Sequence, residues 1–259
     1  MLDLSNYLNL SLALGAIIAL SVFLYVLLDG FDLGVGILFP FAPTNNCRDK
    51  IMNSVAPFWD GNETWLVLGG GTLFAGFPLA YSILMPALYI PIITMLLGLI
   101  LRGVAFEFRF KSDQKIVKLW DYCFHFGSVT ATFAQGVMLG AFVQGIKVNN
   151  RIFVGDSFDW LTPFSLMTGI ALIFAYSLLG ATWVILKTEK ETQLWAYKSA
   201  LYVLVYVALF IGVVSVWTPL INEQIYNRWF DVSNLMYLCP ILLTTIFIIV
   251  NLFYTLINI

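Results

Sequence analysis

The stretch Trp59-Asp60-Gly61-Asn62-Glu63-Thr64-Trp65 sets two carboxylates, Asp60 and Glu63, at the mouth of an apolar run that continues to Tyr81. A second pair, Asp29 and Asp32, stands in Leu28-Asp29-Gly30-Phe31-Asp32-Leu33-Gly34-Val35-Gly36, where the preceding apolar run ends. Members of each pair are three residues apart, so each pair lies on one face of a helix. An ionisable group at membrane depth costs about 2.5–3.5 kcal/mol on insertion scales. A chain that keeps four of them in its first two apolar runs is expected to use them. Carboxylates crowded at one depth cannot all ionise cheaply, and they titrate as a coupled set. Passing protons or ions is the chemistry that fits. The plainer alternative, helix-end capping or pairing with Arg48, Lys50 or Arg102 near the headgroups, stays open beside it.

The elements that must position these groups are membrane helices. Hydrophobic residues make up 60% of the chain and charged residues 11%, against roughly 25% charged in a soluble domain. Tyr7 to Leu28 carries no charge and has the length of a span. It lacks the basic flank of a signal peptide. Hydropathy predicts seven spans, over 7–28, 57–78, 81–101, 122–145, 163–186, 199–217 and 235–257. The first is open to extension towards Phe41, and a tight turn near Phe77-Pro78 joins the second to the third. The fold class expected is all-α, a single polytopic transmembrane domain over residues 1–259.

Charge orients the spans. Arg48 and Lys50 lie in the first loop, Arg102, Arg109, Lys111, Lys115 and Lys118 in the third, and Lys187, Lys190 and Lys198 in the fifth. The other connections carry Lys147, Arg151 and Arg228. By the positive-inside rule the first set is cytoplasmic, with the N-terminus periplasmic. Trp and Tyr near the span ends (Tyr7, Trp160, Trp195, Tyr197, Trp217, Trp229, Tyr237) fit interfacial belts. Asp29, Asp32, Asp60 and Glu63 then share one depth near the inner face. The glycines Gly69-Gly70-Gly71 and Gly76, with Gly30, Gly34 and Gly36, let helices approach closely, and Gly136 with Gly140 reads as a packing pair.

Other chemistry is poorly supported. Gly34-Val35-Gly36 lies in an apolar segment and lacks the Lys-Ser/Thr of a phosphate loop. Cys47, Cys123 and Cys239 are far apart and form no metal-ligand spacing. The one histidine, His125, could give a haem at most one axial ligand, and a packing role is the plainer reading. No basic face with interleaved aromatics suggests nucleic acid. In Arg102-Gly103-Val104-Ala105-Phe106-Glu107-Phe108-Arg109, Arg102 and Glu107 are candidates for an ion pair in the inner interface, with snorkelling anchors as the alternative.

Taken in order, Leu28-Asp29-Gly30-Phe31-Asp32-Leu33-Gly34-Val35-Gly36, Trp59-Asp60-Gly61-Asn62-Glu63-Thr64-Trp65-Leu66, Arg102-Gly103-Val104-Ala105-Phe106-Glu107-Phe108-Arg109 and Lys187-Thr188-Glu189 resemble subunit II of cytochrome bd-type quinol oxidases. Asn227-Arg228-Trp229-Phe230 resembles the cyanide-insensitive branch. The resemblance implies a haem-free, multi-pass subunit of the bacterial inner membrane, not catalytic alone, built as two four-helix bundles plus a peripheral helix. It implies a partner, the haem-bearing subunit I with haem b and haem d-type groups, a small single-span subunit, membrane lipid, quinol as substrate of the complex, and in some members a structural quinone. It also implies that the complex reduces oxygen to water with protons drawn from the cytoplasm. Asp32 and Asp60 match the acids carried over as proton-path candidates, with Asp29 beside them and Glu63 less secure.

Family members usually continue through two more helices where this chain reaches Ile259, so the second bundle is expected to be incomplete. Two other classes of function stay in view, a stand-alone proton-coupled transporter and a purely structural scaffold. The first sits poorly with acidic pairs that fall in adjacent spans rather than in corresponding positions of two halves.

Overall fold

The computed structural model describes residues 4–221 and 223–258. Among the described residues ten α-helices follow one another: α1 Leu4–Leu38, α2 Asn45–Val55, α3 Trp59–Gly76, α4 Pro78–Ala87, α5 Tyr89–Arg109, α6 Gln114–Gln144, α7 Pro163–Lys187, α8 Lys190–Ile221, α9 Glu223–Phe230 and α10 Val232–Ile257. Among the described residues, six helices are long and apolar enough to cross a membrane, lying in α1, α5, α6, α7, α8 and α10. The second expected span is α3, whose 18 residues open on the polar turn Asp60-Gly61-Asn62-Glu63-Thr64 and so fall outside that set. The side chain of Tyr7 lies outside the described residues.

The expected boundaries shift in three places. The first span does not end at Leu28, because α1 runs unbroken to Leu38. Asp29 and Asp32 therefore sit inside a helix, both 0% exposed, rather than at its end. The third expected span splits into α4 and α5 at Leu88, which has a non-helical ψ of 18°. Prolines explain the division. Pro78 opens α4, Pro91 lies in the first turn of α5, and Pro86 removes a donor near the end of α4. A third difference is a two-residue hairpin, Val148–Asn149 against Ile152–Phe153 (β1 and β2), turned through Asn150 and Arg151 with positive φ angles. Beside it Lys147 Nζ donates to Asp159 at 3.2 Å and holds that carboxyl below the usual range.

Packing partners follow from the close contacts. α3 runs antiparallel to α1, with Gly76 against Leu14, Gly69 against Ser21 and Asn62 against Leu28 and Asp32. α5 runs antiparallel to α6 through Gly98 and Gly127, where each glycine's missing side chain is replaced by the other helix's backbone. α1, α5, α6 and α7 share a core that includes Leu33, Leu99, Ala131 and Tyr176, with Leu66 of α3 packed against it. α7 packs on α1 and α6, α8 on α7, and α10 leans on α8 and α9. None of the described residues of α10 is buried.

The α1–α7 crossing is the tightest. A Cβ on Gly34 would overlap the Tyr176 carbonyl, and one on Gly180 would overlap the Gly34 backbone. Gly34→Ala is therefore expected to force the helices apart at a cost of about 1–3 kcal/mol. Thermal unfolding in mild detergent reads this, with Gly15→Ala as control because its Cβ meets open space. Equal midpoints for the two variants would refute the packing account.

Candidate functional site: a buried arginine among three carboxylates

α5 turns one face to the core through Arg102, Phe106 and Arg109, spaced i, i+4, i+7. Arg102 is 0% exposed. Its Nη1 donates to Asp29 Oδ1 at 2.9 Å and to Glu63 Oε1 at 3.3 Å, while Nη2 stands 3.9 Å from Asp32 Oδ2. Asn62 Nδ2 donates to the same Asp32 oxygen at 2.6 Å and to the Leu28 carbonyl at 3.4 Å. The guanidinium lies over the Phe106 ring at 5.7 Å, and Phe106 stacks on Trp59 at 5.1 Å. Helices α1, α3 and α5 each contribute, so three separate sequence segments meet on one cation.

Asp29, Asp32, Glu63 and Arg102 are brought together. Asp60 is not among them. It is exposed on the outer side of α3, one turn before Glu63. Burial is graded along this line, from exposed Asp60 through Glu63, whose side chain is 25% exposed, to Asp29 and Asp32 at 0%. Three carboxylates face one guanidinium, and Asp29 Oδ2, Asp32 Oδ1, Arg102 Nε and Arg102 Nη2 are buried without a hydrogen-bond partner. Groups of this kind are usually completed by ordered water. A carboxylate set that outnumbers its cation, reached from the surface through a half-open member, can take up and pass on protons as a unit.

The expected pair of Arg102 with Glu107 does not form. Five residues along a helix turn the two side chains roughly 140° apart. Arg102 faces the core, and Glu107 instead accepts from Lys111 at 3.1 Å across an exposed turn. Such an exposed pair contributes little.

Sequence reasoning missed two sets of residues. Asn62 is buried and holds Asp32, although its type gave no signal beyond standing between the two acids. A second ion cluster lies at the end of α5, where Arg109 donates to Asp121 at 2.6 Å and to Asp49 at 2.7 Å, and Arg48 stands 3.7 Å from Asp121. It ties α2, α5 and α6 together, and the seven-residue spacing from Arg102 to Arg109 was its visible trace. His125 donates from Nδ1 to the Gly36 carbonyl at 3.2 Å and packs edge-on to Phe41.

The family description "Cytochrome bd terminal oxidase subunit II" matches residues 10–258. Cytochrome bd ubiquinol oxidase subunit 2 of Bacillus subtilis (strain 168) is 35% identical over 179 residues, covering 68% of this chain and 53% of the relative. Cytochrome bd-I ubiquinol oxidase subunit 2 of Escherichia coli (strain K12) is 34% identical over 177 residues, covering 66% of this chain and 47% of the relative. The chain spans about half the length of the curated relatives it matches. With the match running through the buried arginine and its three carboxylates, the chain belongs to the cytochrome bd terminal oxidase subunit II family.

Proposed function

We propose that this chain is the haem-free membrane subunit of a quinol:oxygen oxidoreductase and that it delivers protons to the partner that reduces oxygen. The observation that carries this is the set Glu63, Asp29 and Asp32 converging on one buried Arg102, with exposed Asp60 one turn before Glu63. The set opens at the end of the bundle that carries the basic loops. We place that end in the cytoplasm and the N-terminus in the periplasm, on the positive-inside rule. Protons then enter at Asp60, pass to Glu63 and are shared among the buried carboxylates, with bound water filling the gaps.

The residues at this site do not suit a haem. They are carboxylates and a guanidinium, whereas haem iron takes His, Met, Cys or Tyr. Haem b and haem d-type groups therefore belong to a larger partner, and quinol oxidation with them.

One observation favours a second reading. Arg102 ties α1, α3 and α5, so the cluster also serves as a scaffold. The first experiment is to tag the chain, co-express it with a haem-bearing subunit I, purify in mild detergent and record a reduced-minus-oxidised spectrum. Haem bands that travel with the tag are expected. A folded but colourless preparation would count against an oxidase subunit.

A further inference from the structure

Next to the carboxylates, on the side away from the basic loops, three polar side chains bridge α1, α6 and α7. Tyr176 Oη donates to Gln135 Oε1 at 3.0 Å, and Gln135 Nε2 donates to Tyr25 Oη at 2.8 Å. Tyr25 lies one turn before Asp29 on α1, so the bridge adjoins the acid cluster. Both tyrosines are buried. The bridge extends the polar interior from the carboxylates into the far half of the bundle, which is where a wire crossing the membrane would have to run.

Its chemistry interrupts such a wire. A hydroxyl accepts one proton while giving up another, so Tyr25 and Tyr176 can relay. A primary amide accepts on oxygen and donates from nitrogen, and a proton crosses it only through the imidic acid tautomer. The interruption is the same whichever way the amide is turned. Beyond the bridge, the far stretches of α1 (4–24), α6 (136–144) and α7 (163–175) contain no Asp, Glu, His, Lys or Arg.

We propose that Gln135 is a proton stop: a neutral amide set between Tyr25 and Tyr176, it passes no proton onward and leaves the carboxylate cluster with a single entrance at its Glu63 side. This rests on the proton-delivery reading and gives it a direction. A cluster open at both ends would short-circuit the gradient that a respiratory complex helps to maintain, and a permanently neutral hydrogen-bonding group closes one end without leaving buried polar atoms unpaired.

The test uses the complex with its haem-bearing partner, reconstituted in liposomes loaded with a pH-sensitive dye. A pH step is applied without quinol, with potassium and valinomycin holding the potential at zero. Wild type and Gln135→Met should dissipate the step equally slowly. Gln135→Glu places a titratable carboxyl between the two hydroxyls and should dissipate it several-fold faster at equal haem content. A Gln135→Glu complex as tight as wild type would overturn the proposal, because an apolar layer would then be the seal. A Gln135→Met complex as leaky as Gln135→Glu would overturn it too, because packing would be the seal. Where Gln135→Glu fails to retain haem, Gln135→His supplies the titratable relay, and a tight His variant has the same force. Failure of the proton-delivery reading shows elsewhere, as full turnover in Asp32→Asn, which the leak assay does not involve.

Discussion

Arg102→Met should cost the folded protein about 3–5 kcal/mol, enough to abolish most of its accumulation in the membrane. The guanidinium is fully buried and is the cation that Asp29, Asp32 and Glu63 share. Methionine fills a similar volume but leaves those carboxylates facing one another, with Asn62 as the remaining donor to Asp32. Removing one partner of a buried ion cluster is worse than removing both, since an unpaired charge stays behind. The paired variant Arg102→Met with Asp29→Asn should therefore regain part of the loss, a coupling that a double-mutant cycle measures. Arg102→Lys should fall between, because a compact ammonium keeps the charge but cannot extend towards all three carboxylates as the planar guanidinium does. Wild-type yield and thermal midpoint for Arg102→Met would mean that the carboxylates are held neutral by their own protons and that the arginine is dispensable.

Much of this cluster was visible before the fold. The two acidic motifs stand out because charge is rare in this chain, and helical spacing puts Asp29 and Asp32 on one face, whereas Asp60 does not share the inward face of Glu63. The arginine was visible as a residue but not as the centre. It meets Asp29 across 73 positions and Glu63 across 39, and no local pattern encodes such pairings. The guess of Glu107 as its partner followed sequence proximity, whereas helix rotation sends the two side chains in different directions.

Asp60 and Asn62 show the same limit. Trp59, Asn62, Glu63 and Leu66 follow an i, i+3, i+4, i+7 stripe that faces α1 and α5, and Asp60 lies beside that stripe rather than in it. Which of two neighbouring polar residues turns inward depends on helix rotation, and α3 has too weak an apolar face to announce it. The division of the third span was legible in Pro78, Pro86 and Pro91. It was overridden by continuous hydropathy, which cannot distinguish one span from a short helix followed by a span.

Asp32→Asn should lower oxygen-consuming turnover of the assembled complex by about a hundredfold, the lower end for losing a positioned proton-transfer group, while haem content stays at the wild-type level. The asparagine keeps an oxygen that can accept from Asn62, now 2.6 Å from Asp32 Oδ2, and it removes one of the three negative charges facing Arg102. Folding is therefore not expected to suffer, which makes this substitution a cleaner probe than Arg102→Met. The scaffold reading predicts the reverse pattern, with assembly lost or nothing lost, because a scaffold has no step that a neutral isostere could slow. Asp60→Asn should have a smaller effect alone, since Asp60 is exposed and bound water can stand in at a surface entrance. Added to Asp32→Asn, it should change the rate little further, because two residues on one path do not contribute independently. Undiminished turnover in the assembled double variant would remove the proton path from these residues. Arg102 and its carboxylates would then be a means of fixing α1, α3 and α5 at the basic end of the bundle.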